Sequence, residues 1–187
     1  MSGTLKVGGV NLATHTGTDG LVTGMSWGSS VPAGTVIKKT FYSIGRGTMA
    51  ATAFPNDDTI PQRDEGAEIF SQAYTPSTTN CTILITTYVR TSESSNQDNA
   101  MQLGLFISDD DDCLVVGEHL NTTGASAINA GNITLMHSMA SWSGEKTFSL
   151  RSSGSNTFNY SNEDSVFAAV KFGASFKSAF IVEEIAT

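Results

Sequence analysis

Positive charge is scarce in this chain. Ten Lys and Arg stand against 18 Asp and Glu, a net charge of -8 over 187 residues. Nothing in that balance displaces counterions from a phosphate backbone, which argues against nucleic-acid binding and against docking on anionic membranes. Solubility alone accounts for the acidity equally well. Histidine is limited to His15, His119 and His137, too dispersed for a zinc site. Two cysteines occur, Cys81 and Cys113, without CxxC spacing. Each opens an apolar strand and reads as a small buried hydrophobe, a disulfide being the alternative. Apolar runs fall short of membrane-spanning length. Residues 1–30 lack a charged start followed by an apolar core, so no export leader is expected. The N-x-S/T triplets at Asn80, Asn121, Asn132 and Asn159 then read as chance in a Ser/Thr-rich chain. No repeat of solenoid or propeller period recurs.

What fills the space is Ser, Thr, Asn and Gly, since charged residues make up only 15% of the chain. Such a mix belongs to β-rich proteins with many turns. Residues 1–34 differ from the rest: they hold eight of the 18 glycines and only short apolar pieces at Leu5, Val7, Val10, Leu21 and Val22. A segment like this buries too little surface to fold by itself. It reads as an extended anchoring arm that needs a docking surface, with a folded domain at 35–187.

From Thr35 onward the pattern is that of strands. TVIKKTFYS, TMAATAF and EIFSQAY come first. TILITTYVR puts Ile83, Ile85 and Val89 on one face, and AMQLGLFIS alternates Met101, Leu103, Leu105 and Ile107. CLVVGEHL pairs with the latter through the SDDDD turn. NITLMHSMASW, KTFSLRSS, TFNY, SVFAAVKFG and SAFIVEEI follow, and no stretch carries a helical stripe. About ten short strands joined by Ser/Asn/Gly/Asp loops predict an all-β antiparallel sandwich.

Asp57, Asp58, Asp64, Glu65 and Glu68 raise the question of a catalytic or metal-binding cluster. The stretch carries backbone signals that need no substrate. Asp57 suits an Asx turn, Pro61 extends Ile60, and Gly66 supplies a positive φ or a bulge before the next strand. Arg63 among these acids works against a raised catalytic pKa. Asp109 to Asp112 form a solvated hairpin turn without EF-hand spacing, so no calcium requirement is expected. No G-x-S-x-G elbow accompanies the histidines, and His137 lies inside an apolar strand pattern. No two carboxylates are set as a glycosidase pair. Trp27 and Trp142 are candidate sugar-stacking surfaces, with a buried edge position or a trimer contact the stronger reading for Trp142. The expected site residues are therefore none: no catalytic, cofactor-binding or metal-ligating residue, no cofactor, and no enzymatic activity.

The run DDTIPQRDEGAEIFSQAYTPSTTNCTILI resembles a pattern in bacteriophage tail-fibre and other virion structural proteins. There, an IPQ-x-x-EG-x-EI segment leads into a strand, a TP-x-S/T turn and an apolar strand. Leu105-Phe106 with the acidic turn Ser108 to Asp112, the Thr157-Phe158-Asn159 segment and the final strand Ser178 to Ile185 extend the likeness. So does the leader GTLKVGGVNLATHTGTDGLV with PAGTVI. The resemblance implies a jelly roll similar to the tumour-necrosis-factor type, a homotrimer on a virion assembled in the host cytoplasm, and no catalytic residue. Its partners would be copies of itself, tail or capsid subunits held through residues 1–34, and a host surface glycan or protein. Two roles follow as expectations: a tail-fibre or tail-appendage knob for host attachment, or a decoration (cement) protein of the head. Phe167, Val170, Phe172, Phe176, Phe180, Ile181 and Val182 are expected to bury against neighbouring subunits.

Overall fold

The computed structural model describes residues 3–7, 10–15, 31–45, 47–49, 54–55, 57–93, 99–121, 129–154, 158–160 and 177–187. Twelve strands run through them: β1 Gly3–Val7, β2 Val10–His15, β3 Val36–Ile44, β4 Gly47–Met49, β5 Ala67–Tyr74, β6 Cys81–Glu93, β7 Asn99–Ile107, β8 Val115–Asn121, β9 Asn129–Ala140, β10 Lys146–Gly154, β11 Phe158–Tyr160 and β12 Ser178–Ala186. Every pairing between them is antiparallel, and no helix occurs among the described residues.

Eight of these strands build two four-strand-wide sheets. The first has the order β3-β12-β6-β9, and the second β5-β10-β7-β8. Numbered along the chain, the first of the eight pairs with the eighth (β3 with β12), the second with the seventh (β5 with β10), the third with the sixth (β6 with β9) and the fourth with the fifth (β7 with β8). A long antiparallel ribbon rolled up in this manner is a jelly roll. The short β4 and β11 continue the outermost pair past the ends of β3 and β12, so β11 meets β6 at Thr91 and Ser92, beyond the reach of β12. The sandwich predicted from strand spacing is the observed fold.

Period-two alternation decides what lies between the sheets. Ile83, Ile85 and Val89 of β6 and Met101, Leu103, Leu105 and Ile107 of β7 are buried, as their spacing predicts. One end of the core is aromatic: Phe180 of β12 lies 5.6 Å from Phe148 of β10 and 5.1 Å from Phe70 of β5, and Trp142 stands edge-on to Phe148 at 5.7 Å. The same alternation corrects one expectation. Phe180 and Val182 are fully buried between the sheets, so neither reaches a neighbouring subunit, and only Ile181 between them faces outward. Phe167, Val170, Phe172 and Phe176 lie outside the described residues, as do Trp27, the SVFAAVKFG segment and part of TMAATAF.

Within the proposed arm, β1 and β2 form a separate hairpin sheet, with Leu5 opposite Ala13 and Val7 opposite Val10. This pairing is not legible in the sequence, because glycines among the apolar residues hide the alternation that marks a strand.

Candidate binding surfaces

The acidic loop and the SDDDD turn, some fifty residues apart in sequence, meet in space. Gln62 bridges to Asp112, the Arg63 amide donates to the Asp111 carbonyl at 2.8 Å, and the Cys113 amide donates to the Pro61 carbonyl at 2.9 Å. The loop is held by its own acids. The Asp57 carboxylate accepts from the Thr59 hydroxyl and amide, which lowers its pKa, and Glu65 accepts from the Gln62 amide at 2.7 Å. Gly66 takes φ 65°, and a Cβ there would come within 2.6 Å of the Phe54 ring. Phe54 sits over Phe106 on the outer face of the second sheet, so Gly66 lets the loop close down on that pair.

Arg63 does not neutralise the acids beside it in sequence. Its guanidinium reaches the Ser108 carbonyl and the Asp111 carboxylate, the latter at 3.1 Å. Lys146 holds Asp109 and lowers its pKa, while Gln62 donates to Asp112 at 2.9 Å. The aspartates of the turn are thus engaged by different partners. Among the described residues, no group of three or more His, Cys, Asp or Glu side chains is placed to hold a metal ion.

This packing frames a groove on the outer face of the second sheet. Its floor is the solvent-side row of β5 and β10: Ser71 lies opposite Ser149, and Ala73 opposite Thr147. Ser108 adds a hydroxyl at one edge, and the Thr147 amide donates to it at 3.2 Å. Arg151 stands at the other end, its Nε and Nη2 donating to the Glu65 and Gly66 carbonyls at 2.7 and 2.9 Å and its Nη1 lying 3.8 Å from Glu68. The hollow has a volume of about 290 Å³, and Arg63 also lines a second one of about 400 Å³ shared with Gln62, Asp64 and Asp111. Sequence reading missed this groove because its residues come from four separate segments. A signal did exist: Thr147, Ser149 and Arg151 are the polar half of a strand whose apolar half is Phe148 and Leu150.

The outer face of the first sheet is different in kind. Register places Phe41, Ile181, Thr86 and Met136 side by side across all four strands, with Phe41 65% and Met136 64% exposed. The flanking rows are Ser43-Ala179-Tyr88-Thr134 and Lys39-Glu183-Leu84-Ser138. Across these three rows the only charges are Lys39 and Glu183, which pair with each other at 2.9 Å.

Other residues singled out by sequence serve the interior. Trp142 packs on Tyr74 and Phe148, and the Lys146 ammonium sits 5.2 Å from its ring. His137 lies opposite Ile85, half-buried, and His119 is in close approach to Gly131. Both cysteines are free thiols, and burial pushes the Cys113 thiol pKa up. Sequence reading passed over Glu184, whose side chain is fully buried. It accepts from the Tyr74 hydroxyl at 2.6 Å, from the Ser77 amide at 3.0 Å and from the Ser77 hydroxyl, and Lys38 lies 3.5 Å away. Burial pushes the Glu184 pKa up, but the hydrogen bonds from Ser77 and Tyr74 outweigh it and hold the group below the ordinary glutamate value. Burial and the Glu184 charge push the Tyr74 hydroxyl well above its usual range.

No helix among the described residues is long and apolar enough to cross a membrane. No protein-family model and no curated protein matches the chain. Among solved structures, it is similar to the C-terminal domain of EclA, a sugar-binding protein, at 12% identity and TM-score 0.36 over 75% of this chain and 86% of that one. It is also similar to latent PorU from Porphyromonas gingivalis (10% identity, TM-score 0.39, 85% of this chain) and to a protein of the infectious bursal disease virus Gx strain (10% identity, TM-score 0.34, 99% of this chain). The chain covers 14% and 46% of those two proteins' lengths.

Proposed function

We propose that this chain is a virion structural protein: a trimeric tail-fibre or tail-appendage knob that attaches through residues 1–34 and presents its loops to the host surface. The observation that carries the reading is the apolar outer face of the first sheet. Phe41, Ile181 and Met136 in one row, flanked by Tyr88 and Leu84, make a surface that is costly to leave in water. Copies of the chain related by closed rotational symmetry bury it and leave no apolar edge open. The phage assignment rests on the resemblance in the 57–85 stretch and in the 105–112 turn, segments that the Gln62–Asp112 bridge joins. Three copies of each loop then gain avidity from weak individual contacts. The function needs no reacting group; Asp57 and Glu65 act as turn formers and Glu68 as an ion-pair partner.

Gold-labelled antibody on purified particles tests the reading, with label expected at the tail. Label spread over the head would instead assign the chain to capsid decoration, and absence from the particle would end both. Deleting residues 1–34 is expected to leave a soluble trimer that no longer joins particles. An unfolded or monomeric product would contradict that expectation.

A further inference from the structure

We propose that the groove on the outer face of the second sheet is a binding site for an uncharged saccharide. The proposal names the ligand class of the host-facing surface and rests on the attachment reading for its biological role.

The lining matches a polyol. Ser71, Ser149, Thr147 and Ser108 each bring a hydroxyl that donates and accepts, Arg63 and Arg151 bring fixed donors, and Glu68 brings an acceptor. Neighbouring hydroxyls of a sugar ring present that same mixture at short spacing. A purely anionic or purely cationic ligand does not.

Charge selects a neutral sugar over an acidic one. Arg63 has Asp111 at 3.1 Å, Arg151 has Glu68 at 3.8 Å, and Asp64 lines the adjoining hollow. Two guanidinium groups therefore face three carboxylates, on a chain whose net charge is already -8. A uronic or sialic acid meets no net positive field there, and a free cation meets the two guanidinium groups.

The site is also preorganised. Its floor is a register-locked strand pair, and both arginines are held by backbone carbonyls, so little side-chain order is lost on binding. The hollow of about 290 Å³ shares Arg63 with the one of about 400 Å³, and each lies at the small end of ligand sites, which span ~300–1,000 Å³. No aromatic ring lines it among the described residues, so each site is weak and the assembly supplies avidity.

The test is saturation-transfer NMR on the purified full-length protein. The probes are the methyl glycosides of glucose, galactose and mannose, with galacturonate as the charged counterpart. Transfer to at least one neutral glycoside is expected. It should fall roughly five- to tenfold in Ser71→Leu, which fills the floor, and in Thr147→Val, which removes one hydroxyl without changing shape. No transfer to any neutral glycoside, undiminished transfer in both variants, or stronger transfer to galacturonate would overturn the proposal. Failure here is distinguishable from failure of the attachment reading. An antibody to the knob that blocks particle adsorption, without glycoside binding, keeps attachment and removes the saccharide. Glycoside binding by a protein absent from particles does the reverse.

Discussion

The two sheets of this sandwich share one core and turn opposite chemistries outward. On the first, register gathers Phe41, Ile181 and Met136 into an apolar row whose nearest charges cancel in the Lys39–Glu183 pair. On the second, the same alternation brings out Ser71, Ser149, Thr147 and Arg151, and the 57–66 loop roofs the remainder through Phe54 on Phe106. On the proposed reading, the two faces divide the labour. An apolar face suits another apolar protein surface, whereas a polar hollow with fixed hydrogen-bonding groups suits a small hydrophilic ligand.

The comparison can be broken most forcefully through the core that both faces share. Phe148→Ala removes the ring that touches Phe180, Trp142 and Tyr74, and is expected to cost about 3–5 kcal/mol. Denaturant unfolding would show it, and both outer faces would be lost in one transition. A cost under about 1 kcal/mol would mean that the two sheets are not coupled through this cluster.

Glu184 is the next largest lever. Glu184→Gln keeps the shape but removes the charge that Tyr74 and Ser77 hydrogen-bond, at an expected cost of about 2 kcal/mol and a fall in Tm of roughly 4–8 °C. The pH dependence follows from the lowered glutamate. Its contribution is present above the ordinary glutamate range and is lost as pH falls through the folded-state value. Tyr74 is raised, so its contribution holds below the ordinary tyrosine range and is lost as pH climbs beyond it. Thermal melts across pH should therefore decline at both extremes in the wild type, with the acid-side decline reduced in Glu184→Gln. An unchanged acid limb would assign the decline to other carboxylates.

The outer faces give the smallest effects on the isolated fold. Phe41→Glu and Met136→Glu on one side, and Ser71→Leu on the other, should each change the fold's own stability by no more than ~0.5 kcal/mol. They sharpen the comparison because each is expected to weaken one function and spare the other. Loss of assembly in Ser71→Leu, or loss of glycoside binding with assembly intact in Met136→Glu, would erase the distinction between the faces.

Much of the scaffold was legible in the sequence, because period-two alternation is a local property. Ile83-Ile85 and Met101-Leu103-Leu105-Ile107 announce their strands and their inward faces unaided. The acidic loop was legible as a turn for the same reason: Asp57, Pro61 and Gly66 act on the backbone next to them. The surfaces were not legible, since a face is a property of register. Phe41, Thr86, Met136 and Ile181 lie on four strands, and nothing in the sequence says that they align. The apolar run at 180–182 points in the opposite direction. Hydrophobic richness by itself suggests an outward face, whereas alternation sends Phe180 and Val182 inward and leaves Ile181 alone outside. Glu184 escaped notice because its partners, Tyr74 and Ser77, lie more than a hundred residues away.

Light scattering on the purified full-length chain, wild type beside Phe41→Glu/Met136→Glu, tests the division of labour most directly. The account predicts a particle three times the 19.7 kDa chain mass for the wild type and a folded single chain for the double variant. A wild-type monomer, or a trimer indifferent to two charges placed in the middle of that face, would contradict it.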